Sequence, residues 1–246
     1  MGAVFAIIGD IHANIDALRA VIDDARSCGV TDFLCVGDVV GYNSSPAECV
    51  RIVRDELNCP TVCGNHDYYA SGTRDLNDFT PLAEQVLLWT RNQLDSKAAE
   101  WLSSLPLQRT IRGVTLVHST LDNPQHWGYV FDKFYAESNF NYQKTQICFH
   151  GHTHVPVIFE KTPTGIETTS PADAPIKAAL GHRLFVNVGS VGQPRDGDWR
   201  SSYVIYNTQE RTLAFRRVEY DVDTAVDRNR KAGLPERLCT RLLEGH

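Results

Sequence analysis

No apolar run in the sequence is long enough to cross a bilayer. The longest, such as 4–8, fall far short of the ~20 residues a spanning helix needs. No basic segment followed by a long apolar core stands near the start, so no secretory leader is expected. The opening Met1-Gly2-Ala3-Val4-Phe5-Ala6 lacks the Ser or Thr that myristoylation wants at its sixth position. The seven cysteines, at 28, 35, 49, 59, 63, 148 and 239, contain no CxxC pair, and their number is odd. Most sit in apolar runs, where free cysteine acts as a small hydrophobe. A reducing cytoplasmic location is therefore expected. Positive charge is not in excess. The net charge of −6 argues against a broad nucleic-acid surface and leaves room for a small phosphorylated substrate, since metal ions can supply local positive charge. Repeats, heptads and low-complexity tracts are missing. No membrane association is expected, and composition says nothing of oligomeric state.

What remains is an ordinary core-forming chain of 246 residues, 42% hydrophobic and 22% charged, which fits a single domain over 1–246. Residues 4–9 read as a buried strand. Residues 14–28 follow with Ile15, Leu18, Val21, Ile22 and Ala25 at helical spacing, closed by Gly29. A strand over 33–36, a helix over 47–57 opened by Pro46, and a strand over 61–63 complete a β-α-β-α-β run. Such a run implies parallel strands with crossover helices. Residues 81–105 read as helix with a break near Asp95-Ser96. Short β-like runs then follow at 114–117, 146–149, 155–159, 184–188, 203–206 and 213–217, which predicts a second, more antiparallel sheet. Residues 162–174, rich in Pro, Thr and Ser, read as an exposed loop. Residues 223–243 read as a polar helix interrupted at 233–235.

The ends of these strands carry an unusual set of residues. They read Gly9-Asp10-Ile11-His12, Gly37-Asp38, Gly64-Asn65-His66-Asp67, Val117-His118 and His150-Gly151-His152-Thr153-His154. Each piece has an ordinary alternative. GNHD alone is a good turn, Asp38 alone a helix cap, His118 alone a satisfied buried histidine, and His152 and His154 loop residues. Taken together they are harder to dismiss. His12, His66, His118, His152 and His154 are five of the nine histidines, and all fall at strand ends, where open α/β sheets bind ligands. A shared metal site is the expectation.

In this order the blocks Asp10-x-His12, Gly37-Asp38, Gly64-Asn65-His66-Asp67, His118 and Gly151-His152-x-His154 resemble the calcineurin-like metallophosphoesterase superfamily. The match spans nearly the whole chain. The flanks "GDIHANIDAL", "VGDVVGYNSSP" and "NVGSVGQPRDGD" resemble a bacterial and archaeal branch of small, single-domain, phosphodiesterase-like members. The chain departs from that branch at His118-Ser119-Thr120, where Gly-Ser often follows the histidine, at Leu121 and at Val188, both common proline positions. These departures spare the metal positions and bear on the substrate pocket. The resemblance implies a four-layer α/β/β/α sandwich of two mixed β-sheets flanked by helices. It implies two divalent transition-metal ions, one held by Asp10, His12, Asp38 and His154 and the other by Asp38, Asn65, His118 and His152. Oxygen and imidazole ligands without thiolate suit Mn, Fe, Zn, Ni or Co.

The chemistry implied is phosphoester hydrolysis by a hydroxide shared between the metals. His66 would stand over the phosphoryl group as charge stabiliser and proton donor, and Asp67 would orient its ring or, alternatively, cap the next helix. Arg195 is a candidate phosphate clamp, with a surface ion pair to Asp196 or Asp198 as the alternative. Trp127, beside His126 and Tyr129, is a candidate for stacking on a substrate base, against the default of a structural aromatic cluster. The favoured activity is a phosphodiesterase of small substrates such as cyclic nucleotides. The alternatives are a phosphomonoesterase acting on phosphoproteins or dinucleoside polyphosphates, and a non-catalytic protein-binding scaffold of the same fold.

Overall fold

A computed structural model of the chain describes residues 2–72, 74–76, 79–172 and 174–246. Among these, eleven strands form two mixed sheets. The first has the order β2-β1-β10-β11-β8, with β1 Val4–Ile8, β2 Asp32–Cys35, β8 Ile176–Lys177, β10 Ser201–Asn207 and β11 Thr212–Val218. The second has the order β3-β4-β5-β9-β6-β7, with β3 Gln108–Ile111, β4 Val114–Val117, β5 Ile147–His150, β6 Val157–Thr162, β7 Gly165–Thr169 and β9 Arg183–Asn187. β1 pairs parallel with β2 and antiparallel with β10. β5 pairs parallel with both β4 and β9.

Side-chain alternation along the strands builds the layers. In β1, Phe5 and Ile7 face the second sheet, where they join Leu116, Phe149, Leu184 and Val186 in one core. Ala6 and Ile8 face the other way and pack under Leu18, Val21 and Ala25 of α1, Ile15–Ser27. Leu242 of α8, Glu236–Glu244, and Val226 of α7, Val222–Lys231, join that outer core. On the far side Phe185 of β9 points away from the central core and meets Ala136 and Phe140 of α6, Lys133–Tyr142. Helix, sheet, sheet and helix follow one another, as the resemblance implies.

Three elements differ from expectation. Residues 61–63 make only a single parallel bridge, Cys35 to Thr61, at the edge of β2. Pro60 has no N–H to donate, and the Cys63 N–H turns to the Pro106 carbonyl, so no ladder extends. Residues 162–174 are not all loop. β6 turns back after Thr162 into β7 through the two-residue connection Pro163-Thr164, and Thr162 Oγ1 accepts from the Thr164 N–H. α6 escaped the periodicity reading because Phe134, Tyr135 and Tyr142 lie exposed on it, although Asp132 caps it through the Phe134 and Tyr135 N–H groups. The helix over 47–57 is present as α2, Pro46–Arg51, continued by a π-helical turn, Ile52–Glu56. The break at Asp95-Ser96 separates α4, Pro81–Gln93, from α5, Ser96–Ser104, with Asp95 as N-cap.

Candidate metal centre

The loops that leave β1, β2, β4 and β5 converge at one end of the two sheets. Backbone bonds zip the first two together: Asp10 N–H to Gly37 O at 2.9 Å, His12 N–H to Asp38 O at 3.0 Å and Ala13 N–H to Val39 O at 2.9 Å. The second sheet is tied on by the His152 N–H, which donates to both Asp10 oxygens at 3.2 and 3.1 Å. Asn14 caps α1 and donates its amide to Gly192 O, and Ser190 Oγ donates to Asp10 O, so the turn after β9 backs the cluster. Asp10, His12, Asp38, His152 and His154 all have positive φ, between 47° and 68°. Non-glycine residues adopt that region at a cost, and it concentrates at functional sites.

Two glycines are required by proximity. A Cβ on Gly64 would lie 2.0 Å from Asp38 Oδ1, and one on Gly151 would lie 2.1 Å from Asp10 Oδ2. Gly64 is the N-cap of α3, Asn65–Ala70, which delivers Asn65, His66 and Asp67 in its first turn.

The side chains gather into three buried groups: Asp10 with His12 and His154, Asp38 with His118 and His152, and His12 with Asp38 and His66. Asp38 Oδ2 stands between the first two, 3.6 Å from His12 Nε2 and 3.3 Å from His118 Nε2. Asn65 Oδ1 lies 3.2 Å from His118 Nε2. All seven residues singled out as candidate ligands thus meet in one place.

The four imidazoles share a further property. Each has one ring nitrogen on a backbone carbonyl: His12 Nδ1 on Val40 O at 3.1 Å, His118 Nδ1 on Val36 O at 2.9 Å, His154 Nδ1 on Gln193 O at 2.6 Å and His152 Nε2 on Trp127 O at 2.8 Å. A carbonyl only accepts, so that nitrogen carries the hydrogen and the other nitrogen turns inward. Inward nitrogens of His12 and His154 lie 3.0 Å apart, and those of His118 and His152 lie 3.1 Å apart. Paired lone pairs repel at that distance unless a proton or a cation lies between them. Histidine ligands of metals have this second bond to fix the tautomer. The donor set of imidazole, carboxylate and amide oxygen fits divalent transition cations.

With no cation, charge is shared out by burial and proximity. Burial opposes protonation of His118, but Asp38 and Asp10 outweigh it and push the ring up to about 9. Asp10 rises to about 6, chiefly through burial and with Asp38 adding to it. Asp38 is held well below the usual carboxylate range, because His118 and His66 outweigh its burial. Burial carries His12, His152 and His154 well down, so these rings stay neutral.

The cluster floors a cavity of about 540 Å³ whose lining includes His66, Tyr42, Phe79, Trp127, Tyr129 and Arg195. His66 is buried, its Nδ1 has no hydrogen-bond partner, and burial lowers its pKa to about 4. Asp67 does not orient that ring. Its Oδ1 accepts from Val39 and Val40 N–H, at 2.8 and 3.2 Å, and its Oδ2 from Gly64 N–H at 3.1 Å. Three backbone donors consume the carboxylate, which reaches back to the helix start and pins the loop after Asp38. This is close to the capping alternative. The surface pair proposed for Arg195 is also not formed, since Asp196 binds Arg217 and Asp198 binds Arg200. Arg195 instead donates from Nη2 to Tyr42 Oη at 3.2 Å, and its buried Nε is unpaired. Trp127 lines the cavity, and Tyr129 stacks on His152 with ring centroids 4.1 Å apart. His150 faces the other way and stacks on Phe185 at 4.0 Å. Sequence reasoning missed Tyr42, whose ring lies 4.5 Å from that of His66, and Phe79, 5.9 Å away. The signal for Tyr42 was its place after Gly41 in the same strand-end block as Asp38.

Residues 4–211 match the model of the calcineurin-like phosphoesterase superfamily domain. The chain therefore belongs to this superfamily, whose members are metal-dependent and binuclear. It is 36% identical over 247 residues to an uncharacterized protein of Methanocaldococcus jannaschii, covering 99% of this chain and 98% of that one. The crystal structure of a metallophosphoesterase from Sphaerobacter thermophilus superposes with a TM-score of 0.90 at 38% identity over 100% of both chains. A hypothetical protein from Pyrococcus horikoshii OT3 shares the fold, with a TM-score of 0.80 at 18% identity over 99% of each chain.

Proposed function

We propose that the protein is a phosphodiesterase of small substrates, cyclic nucleotides or similar diesters, working with two divalent cations on the Asp10–His154 cluster. The observation that carries this reading is the convergence of four tautomer-locked imidazoles and two carboxylates on the floor of an aromatic-walled cavity. One cation would use Asp10, His12, Asp38 and His154, and the other Asp38, Asn65, His118 and His152. When bound, the pair supplies Lewis acidity toward a phosphoryl group and the water that attacks it. Manganese, iron, zinc, nickel and cobalt all suit the donors.

The chain's own residues do the rest. His66 lines the cavity with its Nδ1 buried and unpaired against Gly41, which leaves Nε2 as the nitrogen to meet a substrate oxygen. An anionic phosphoryl group beside the ring favours its protonated form, so His66 gains its proton with substrate and yields it to the leaving oxygen. Arg195 lines the cavity as the clamp for a further phosphate oxygen. Trp127 supplies a face for a base, and Tyr129, stacked on His152, walls the cavity beside it. A diester brings one negative charge and two arms, which suits a cavity with one arginine in its lining and aromatic walls. Seven unpaired cysteine thiols support a reducing, cytoplasmic setting. No helix among the described residues is long and apolar enough to cross a membrane.

The test is a substrate panel with each metal before and after chelation. Hydrolysis should vanish with chelator and return with metal, and a chromogenic diester should show a higher kcat/KM than the matching monoester. A monoester preference above about tenfold would favour the phosphatase reading instead. No turnover of either class with any metal would favour the scaffold.

A further inference from the structure

Outside the cavity lining, α8 brings two further arginines, Arg237 and Arg241, to the neighbourhood of Arg195. The hydroxyl of Tyr42 accepts from Arg195 Nη2, and the Tyr42 ring packs on the cluster of Val86, Leu234 and Leu238. Leu238 belongs to α8, and Arg241 follows it by three residues, Arg237 preceding Arg241 by four. Residues three and four apart share a helix face. The end of α8 is fastened to the Arg195 loop, because Gly197 N–H donates to Gly245 O at 3.0 Å. This juxtaposition is felt electrostatically: burial first, then the charge of Arg195, lowers the Arg241 pKa, and Arg237 adds to the effect.

Three like charges have been brought together without neutralisation. Among the described residues, Arg195, Arg237 and Arg241 form no ion pair, whereas Asp196 and Asp198 in the same loop are taken by Arg217 and Arg200. The chain carries a net charge of −6, so carboxylates are plentiful elsewhere. Repulsion between the half-buried Arg195 and Arg241, with the exposed Arg237 beside them, costs stability unless an anion relieves it.

We infer that Arg241 and Arg237, reached past Tyr42 and Arg195, form a subsite for a second phosphate of the substrate, distal to the one that reacts. This rests on the proposed function and narrows it to diesters bearing an additional phosphate. That group is a terminal phosphate on a dinucleotide or, under the alternative polyphosphate activity, part of the anhydride-linked chain between two nucleosides.

The experiment measures calorimetric binding to the metal-free and metal-loaded protein. One matched pair is the diadenylate ApA and its 5′-phosphorylated form pApA; the other is diadenosine diphosphate and tetraphosphate. Wild type should bind the more phosphorylated member of at least one pair about tenfold more tightly, the gain of one charge-assisted contact. Which pair shows it identifies the source of the phosphate. In the double variant Arg237→Ala/Arg241→Gln the ratio should fall to about one. Should that variant melt early, Arg237→Ala alone, at an exposed position, should lower the ratio by about threefold. A wild-type ratio near one in both pairs, or a ratio that survives in the variants, would overturn the subsite. Turnover of bis(p-nitrophenyl) phosphate by wild type reports separately on the diesterase reading. If that fails while the binding ratio holds, the activity is wrong and the subsite stands.

Discussion

His66 and His118 are both buried imidazoles within one cluster, yet they differ in how they are held. His118 has its Nδ1 on a carbonyl and its Nε2 against Asp38, whereas His66 has an Nδ1 that meets nothing. The first is built to hold something fixed and the second to exchange a proton. His66→Ala should therefore keep both cations and lower kcat by about two to four orders of magnitude for a poor leaving group, the range of a general acid. The loss should shrink for an activated leaving group such as p-nitrophenolate. Metal analysis beside kinetics on two leaving groups checks this, and metal lost in proportion to activity would make His66 a ligand. For His118 the test is loading. In the metal-free protein its ring is protonated below about 9. A cation must displace that proton, so affinity should climb with pH up to that point and then level off. At pH 7.5 loading should release about one proton. Calorimetry in buffers of different ionisation enthalpy measures the number, and His118→Asn should abolish the release.

At the scale of elements, the site depends on how tightly strand ends approach α3. Gly64 has an ordinary φ of −94°, so backbone strain is not the reason for glycine there. The reason is the Asp38 carboxylate, 2.0 Å from where a Cβ would stand, with the Asp38 nitrogen at 2.4 Å. Gly64→Ala should displace Asp38, strip most of both cations and cost about 1–3 kcal/mol of stability, the usual range for overpacking. Metal content and urea unfolding would show it, and full metal occupancy would refute the argument. The glycine was readable in the sequence because GNHD and GD stand at strand ends, where a close turn is forced. The candidate ligands were readable for the same reason, since β1, β2, β4 and β5 are short apolar runs that each stop at Asp or His. Less local features were not. The partner of Asp67 is the backbone of Val39 and Val40, set by how two loops cross rather than by the neighbouring His66. Tyr42 reaches the cavity through a left-handed turn at φ 57°, which periodicity cannot reveal. α6 carries its aromatics outward, and so lacks the apolar stripe by which a helix is recognised.

At the scale of the whole molecule, the two sheets are joined by one broad apolar core and, at one end, by the cluster. Asp10 and Asp38 leave the first sheet; His118, His152 and His154 leave the second. A cation held by both sides adds its binding energy to folding. At a hundredfold excess over its Kd this is about 2.7 kcal/mol per site, or a rise in Tm of roughly 5–10 °C for a chain of this size. Thermal scans with and without chelator measure it, and an unchanged Tm would mean that no cation spans the sheets. Such an ion also links residue 10 to residue 154, closing a loop of more than half the chain, as a cross-link would. Unlike a covalent staple, this one can be withdrawn. The seam between the sheets then becomes the place where the chain opens first when metal is scarce, and proteases cut what opens. Metal supply would thus set the protein's lifetime as well as its activity, and starved protein would be cleared before it could accumulate as an idle enzyme.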